Sequence, residues 1–171
     1  MYFLLDALSE ACDHAVLIRI IGVGSPFGDD AVGLEVARHL RLSPPLNCEI
    51  VVADRPGANL IEMLDGADAT IVIDAVHSGA AVGTLHLLSF DQVGQCAGAF
   101  VSSHDLGIAA ALELARKLGR TPTCGKVLGI EIGTRFGRAP CGLSQSASRA
   151  VELALAQLRS WIKDLNLTNS A

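Results

Sequence analysis

Aromatic side chains are scarce in this 171-residue chain, at 4% of the total. A core must therefore be assembled from Val, Ile, Leu and Ala, which suits a parallel or mixed sheet covered by helices. No Lys/Arg cluster occurs and the formal net charge is −5, which excludes the basic footprint of a nucleic-acid surface or an anionic-membrane patch. Cys-x-x-Cys pairs are also missing. Cys12, Cys48, Cys96, Cys124 and Cys141 are scattered and odd in number, a pattern of reduced structural thiols in a cytoplasmic protein rather than of a disulfide framework or zinc knuckle. Apolar runs of about 18 or more residues are absent, which argues against a membrane span. The opening Met1 to Glu10 lacks a basic n-region and meets Asp6 at once, so it reads as neither signal peptide nor anchor. The length suits one domain, 1–171, with 1–16 as an N-terminal extension and 166–171 as a frayed tail.

What is present is organised around Ile18 to Gly33. Ile18 to Val23 is a β-branched run, punctuated by Gly22, Gly24, Ser25, Pro26 and Gly28, so it reads as a buried strand feeding a tight loop. A helix over 31–41 follows, and Asp29 and Asp30 sit where an N-cap carboxylate would accept its first amide protons. Pro44 and Pro45 break the chain before a second strand, Cys48 to Ala53, which ends at Asp54. Asn59 is placed to cap a short helix carrying Leu60, Ile61, Met63 and Leu64. Ala69 to Ile73 is the most strand-like run, and Asp74 ends it. Thr84 to Leu88 follows too closely for a helical crossover, which predicts antiparallel pairing. Residues 91–100 have no period and read as a loop, after which Ser102-Ser-His-Asp105 opens a helix running to Leu118. Lys126 to Ile132 is the last strand, and 143–165 a long amphipathic helix.

The order β-α-β-α-β-β-α-β-α predicts a three-layer α/β/α sandwich around a mixed, mostly parallel sheet of about five strands. Ligands in such sheets bind outside the carboxyl ends of the strands, the edge that Asp30, Asp54 and Asp74 would share. With His104 at a helix entrance they make an oxygen and nitrogen donor set suited to zinc, nickel, iron or manganese. The competing reading is a set of unrelated turn and cap residues. Glu131, in Gly129-Ile-Glu-Ile-Gly133, divides evenly between reaching that edge and a structural role. His77 lies three residues after Asp74 as a possible extra ligand, although a loop role suits it better. Gly22-Val-Gly24-Ser-Pro-Phe-Gly28 departs from G-x-G-x-x-G, and two acids at the helix entrance would repel a pyrophosphate, which disfavours nucleotide binding.

Four stretches then match in order and spacing across roughly residues 18 to 160: Gly22 to Gly33, Ile71 to Val76 followed by Gly83-Thr84, Ser103-His-Asp-Leu-Gly107, and Leu128-Gly-Ile-Glu131. Together they resemble the successive motifs of the nickel-iron hydrogenase maturation endopeptidases. The resemblance implies a peptidase that removes a C-terminal extension from the nickel-loaded precursor of a hydrogenase large subunit. It places metal contact on Asp30, Asp74 and His104, the nickel being supplied by the substrate. Asp54-Arg-Pro-Gly-Ala-Asn59 departs from the family's Asp-Gly-Gly-Thr-like turn, so substrate contact by Asp54 carries over only in part.

The expected chemistry is hydrolysis by an aspartic-type or metal-dependent route, with Asp30 or Asp74 as the base that activates water. The expected protein is a cytoplasmic monomer whose partner is the precursor, with no nucleic acid and no membrane. Two other functions stay open: a non-catalytic nickel-dependent checkpoint or chaperone for the large subunit, and a nucleotide-binding α/β protein.

Overall fold

A computed structural model of the chain describes residues 17–95, 107–133 and 142–168. Five strands form one sheet in the order β2-β1-β3-β5-β4. They are β1 (Ile18–Gly24), β2 (Cys48–Asp54), β3 (Ala69–Val76), β4 (Leu85–Ser89) and β5 (Cys124–Glu131). β1 pairs in parallel with β2 and β3, and β3 with β5, while β4 runs antiparallel on β5. The mixed, mostly parallel sheet expected from the chain order is therefore present, and the short link from β3 to β4 explains its one reversed strand.

Helices cover both faces. Side chains alternate along β3, so Ile71, Ile73 and Ala75 join one core with Val36 and Leu40 of α1 (Val32–Leu42) and Ala150, Val151 and Leu158 of α5 (Gln145–Thr168). Val72 turns to the other core, with Leu60 and Leu64 of α2 (Leu60–Leu64) and Ala111, Leu112 and Ala115 of α4 (Ile108–Lys117). Each fully buried Ile, Leu or Val contributes about 1.5–3 kcal/mol of transfer free energy, so these aliphatic layers offset the shortage of aromatics.

The glycines near the start of α1 set its height above the sheet. A Cβ on Gly22 would overlap the carbonyl of Gly33, and one on Gly33 would overlap the carbonyls of Val23 and Ile73. These residues let a helix lie flush on two strand ends.

Three sequence expectations change here. β3 continues to Val76, so Asp74 lies inside the strand, opposite Gly129 of β5, instead of ending it. Residues 90–95 are not loop but a short helix, α3 (Phe90–Gln95). The Phe90 ring covers β5 where a Cβ on Gly125 would collide with it, and Ser89 and Gln92 cap each other reciprocally, amide to Oε1 at 2.8 Å and amide to Oγ at 3.2 Å. The third change is at Asn59, which closes a 3-10 turn (Gly57–Asn59) and makes no side-chain cap to α2.

Candidate active site at the carboxyl rim of the sheet

Between β1 and α1 the chain makes one 3-10 turn, Gly28–Ala31, which lies against β1 and β3. Its two acids diverge. Neither caps α1, as their position in the sequence had suggested. Asp30 folds back and its Oδ2 accepts the Ser25 amide at 3.0 Å. Asp29 reaches across to the start of α5, where its two oxygens accept the Ser144 amide at 2.6 Å and the Ser144 hydroxyl at 2.8 Å.

Asp74 enters the same rim from the central strand and is 2% exposed. The hydrogen-bond ladder with β5 aligns it with Gly129, and β4 aligns His86 with that same glycine. Facing residues of neighbouring strands share a side of the sheet, so Asp74 and His86 flank a position with no side chain. Glu131 lies one step further along the face, opposite Val76.

Glu131 is also 2% exposed, yet well supplied with donors. It accepts the Ser78 amide (2.9 and 3.1 Å), the Gly79 amide (3.0 Å), the Ser78 hydroxyl (2.6 Å) and His86 Nε2 (3.2 Å). Burial alone would push this carboxyl up. The Ser78 hydroxyl, the Ser78 and Gly79 amides and His86 outweigh it and hold Glu131 below the usual carboxylate range. Its oxygens are thus committed to the chain that follows Asp74.

Asp54 ends β2 and pairs with the next residue, Arg55, at 2.7 and 3.2 Å. Arg55 lies over the Phe27 ring at 6.0 Å, and Phe27 is 64% exposed. The Arg55 guanidinium holds its proton more tightly than usual, chiefly through the bond to Asp54, with a smaller contribution from the charge of Asp30. Arg55 therefore feels the charge of both acids on this rim.

His77 Nδ1 lies 3.1 Å from the Ile132 carbonyl, which makes Nδ1 the protonated nitrogen. His104 lies outside the described residues, as do Ser102, Ser103 and Asp105. Among the described residues no group of three or more His, Cys, Asp and Glu is disposed to hold a metal ion. The turn that carries Asp30 contacts β3, the strand that carries Asp74. The Asp29–Ser144 and Glu131–Ser78 pairings span 115 and 53 residues and have no local signal in the sequence.

A family model, HycI, hydrogenase maturation protease, matches residues 33–161. The chain belongs to this hydrogenase maturation protease family. Asp74 and His104 fall within the matched span, and Asp30 lies just before it.

Among individual relatives, the hydrogenase expression/formation protein HupD of Bradyrhizobium diazoefficiens is 32% identical over 61% of this chain and 57% of its own length. HupD of Rhodobacter capsulatus is 25% identical over 84% of this chain and 72% of its own length. In three dimensions the hydrogenase maturating endopeptidase HybD from Escherichia coli superposes with a TM-score of 0.73 at 26% identity, covering 86% of this chain and 92% of that one. The α/β sandwich is thus a fold shared with a hydrogenase maturation endopeptidase. The aligned segment spans little more than half of the Bradyrhizobium relative.

Proposed function

We propose that this protein is the endopeptidase that trims a C-terminal extension from the nickel-loaded precursor of a nickel-iron hydrogenase large subunit, with Asp30, Asp74 and His104 contacting the substrate's nickel. What supports this reading is that the turn carrying Asp30 lies against β3, the strand carrying Asp74, in a chain of the hydrogenase maturation protease family. Ligands bind at that rim in open α/β sheets. Nickel held by the precursor is borderline in softness and accepts carboxylate and imidazole donors, so a loaded precursor docks where an empty one finds only acids and no cation to offset them.

Cleavage is hydrolytic. A carboxylate, Asp30 or Asp74, takes a proton from water as the oxygen attacks the scissile carbonyl, then returns it to the scissile nitrogen as the C–N bond breaks, leaving a new carboxyl terminus and a free amine. The buried surroundings of Asp74 exclude bulk water and strengthen the electrostatics of the step. The protein acts as a cytoplasmic monomer in one unit spanning the chain. Among the described residues no helix is long and apolar enough to cross a membrane.

Incubation of purified precursor, nickel-loaded or nickel-free, followed by mass spectrometry of its C-terminus tests the proposal. Wild-type protein should shorten only the loaded form, and Asp74→Asn and His104→Ala should leave it intact while melting as wild type does. Normal trimming by both variants overturns the assignment of these residues. A precursor that is bound but never cut supports a nickel-dependent checkpoint in place of a protease.

A further inference from the structure

Two carboxylates on the rim are held in the same way by serines distant in sequence. Asp29 takes both the amide and the hydroxyl proton of Ser144, and Glu131 takes both from Ser78. At Ser144 the pattern is a capping box completed from afar. The Ser144 hydroxyl accepts the Ala147 amide at 3.2 Å, as an N-cap serine does, but Ala147 carries no carboxylate to return the bond. Asp29 supplies it.

The two clamps connect. Ser144 Oγ meets Ser146 Oγ at 3.2 Å, and Gly83 lies close enough that an added Cβ would reach the Ser146 carbonyl oxygen at 3.9 Å. The Gly83 amide bonds the Glu131 carbonyl at 2.9 Å, and the Ile132 amide bonds the Val76 carbonyl at 3.1 Å. A collar therefore runs from the turn that carries Asp30, through the start of α5 and the chain between β3 and β4, back to the strand that carries Asp74. Neutral amides and hydroxyls supply most of its donors, joined by His86. The acid beside Asp30 and the acid beside Asp74's strand are its two pins.

We propose that Asp29 and Glu131 are positioning residues, clamped to Ser144 and Ser78, which fix Asp30 and Asp74 relative to one another. This rests on the reading of Asp30 and Asp74 as the working acids. Carboxylates that must meet a scissile bond tolerate little displacement, so loosening a pin acts on turnover more than on affinity.

The test uses the full chain with Asp29→Asn, Ser144→Ala, Ser144→Thr, Glu131→Gln and Ser78→Ala. Two measurements are made: trimming kinetics on the nickel-loaded precursor, and amide hydrogen exchange of peptides covering residues 25–31 and 72–79. Ser144→Ala should speed exchange at 25–31 even though it lies in a distant segment, and Ser78→Ala should do so at 72–79. Asp29→Asn and Glu131→Gln should lower kcat by roughly ten- to hundred-fold with KM within about two-fold. Ser144→Thr, which keeps both donors, should restore wild-type behaviour. Unchanged exchange in both peptides, or kcat lost only in proportion to unfolded protein, overturns the collar. Wild-type protein that cuts no precursor removes the proposed function instead, and the exchange measurement still decides the collar.

Discussion

The two rims of the sheet differ in how deeply they bury their charged groups. At the amino ends of the strands, charged groups sit near solvent in ordinary pairings: Arg19 meets Glu49 at 2.8 Å and the Met63 carbonyl at 3.0 Å, and Asp68 accepts the Leu17 amide at 2.8 Å. Leu42, Leu46 and Leu118 stand exposed there. Burial pushes the Cys48 thiol up to about 11, and Cys124 is raised for the same reason, so neither supplies a thiolate at neutral pH. A cavity of about 810 Å³ between α3, α4 and the start of β5 also opens at this end, away from Asp30 and Asp74. At the carboxyl rim, by contrast, Asp74 and Glu131 are buried, and the donors given to Asp29, Asp30 and Glu131 are mostly uncharged amides and hydroxyls. A carboxylate stabilised by dipoles keeps its field, whereas one paired to a cation largely loses it at a distance. Asp54, on the same rim, is paired to the Arg55 cation instead.

Asp30→Asn against Asp68→Asn gives the largest expected contrast. Both replacements keep an oxygen to accept the bonded amide, from Ser25 in one case and Leu17 in the other, so each removes charge while sparing the local fold. Trimming of the nickel-loaded precursor should fall by roughly 10²- to 10⁴-fold for Asp30→Asn, the range typical of a lost acid–base group. Asp68→Asn should leave it within about two-fold of wild type, the margin of a surface change. Equal effects at the two rims would erase the distinction.

Next in size is a contrast of stability. An added methyl at Gly33 meets the backbone carbonyls of Val23 and Ile73, which cannot move without disturbing two strands. Gly33→Ala should lower the unfolding free energy by about 3 kcal/mol, the upper part of the range for overpacking. Gly125→Ala meets only the Phe90 ring, which can swing away with α3, and should cost about 1 kcal/mol. Urea titrations of the two variants decide it.

Much of this architecture is legible because strands and the acids near their ends are local patterns: Ile18 to Val23, Cys48 to Ala53 and Ala69 to Ile73 each announce a strand followed by a polar break. Asp74 reads as the end of β3 because an acid inside a fully buried strand breaks the expected pattern. The helix at Phe90–Gln95 did carry a readable sign, Ser89 three residues before Gln92, but its lack of apolar period concealed it. The partner of Asp29 was beyond reading. Its neighbours in sequence suggested a cap for α1, and its bond to Ser144 exists only once α1 and α5 pack side by side.

A pH series sharpens the electrostatic side of the comparison. Glu131 is held below the usual carboxylate range, so its contribution to stability is fully present above the unfolded-state value and is lost as pH falls through the depressed folded value. Glu131→Gln should therefore lower the urea midpoint most at neutral pH, and the gap to wild type should shrink steadily on acidification below the carboxylate range. At the amino rim Glu49→Gln removes an exposed partner of Arg19 and should show a gap no larger than about 1 kcal/mol at any pH. A constant gap for Glu131→Gln would mean that shape, and not charge, holds the chain after Asp74.

The smallest effect is expected from the apolar surface of the amino rim. Leu42 is 85% and Leu46 72% exposed, so each has little buried surface left to expose on unfolding, and their replacement by Ser removes little transfer free energy. Leu42→Ser and Leu46→Ser should each change the unfolding free energy by no more than about 0.5 kcal/mol and leave trimming rates unaltered. A larger loss of stability would show that residues packed on this rim depend on the two leucines. A loss of trimming with stability intact would make the amino rim a docking surface for the precursor, and the division of labour between the two ends of the sheet would have to be redrawn.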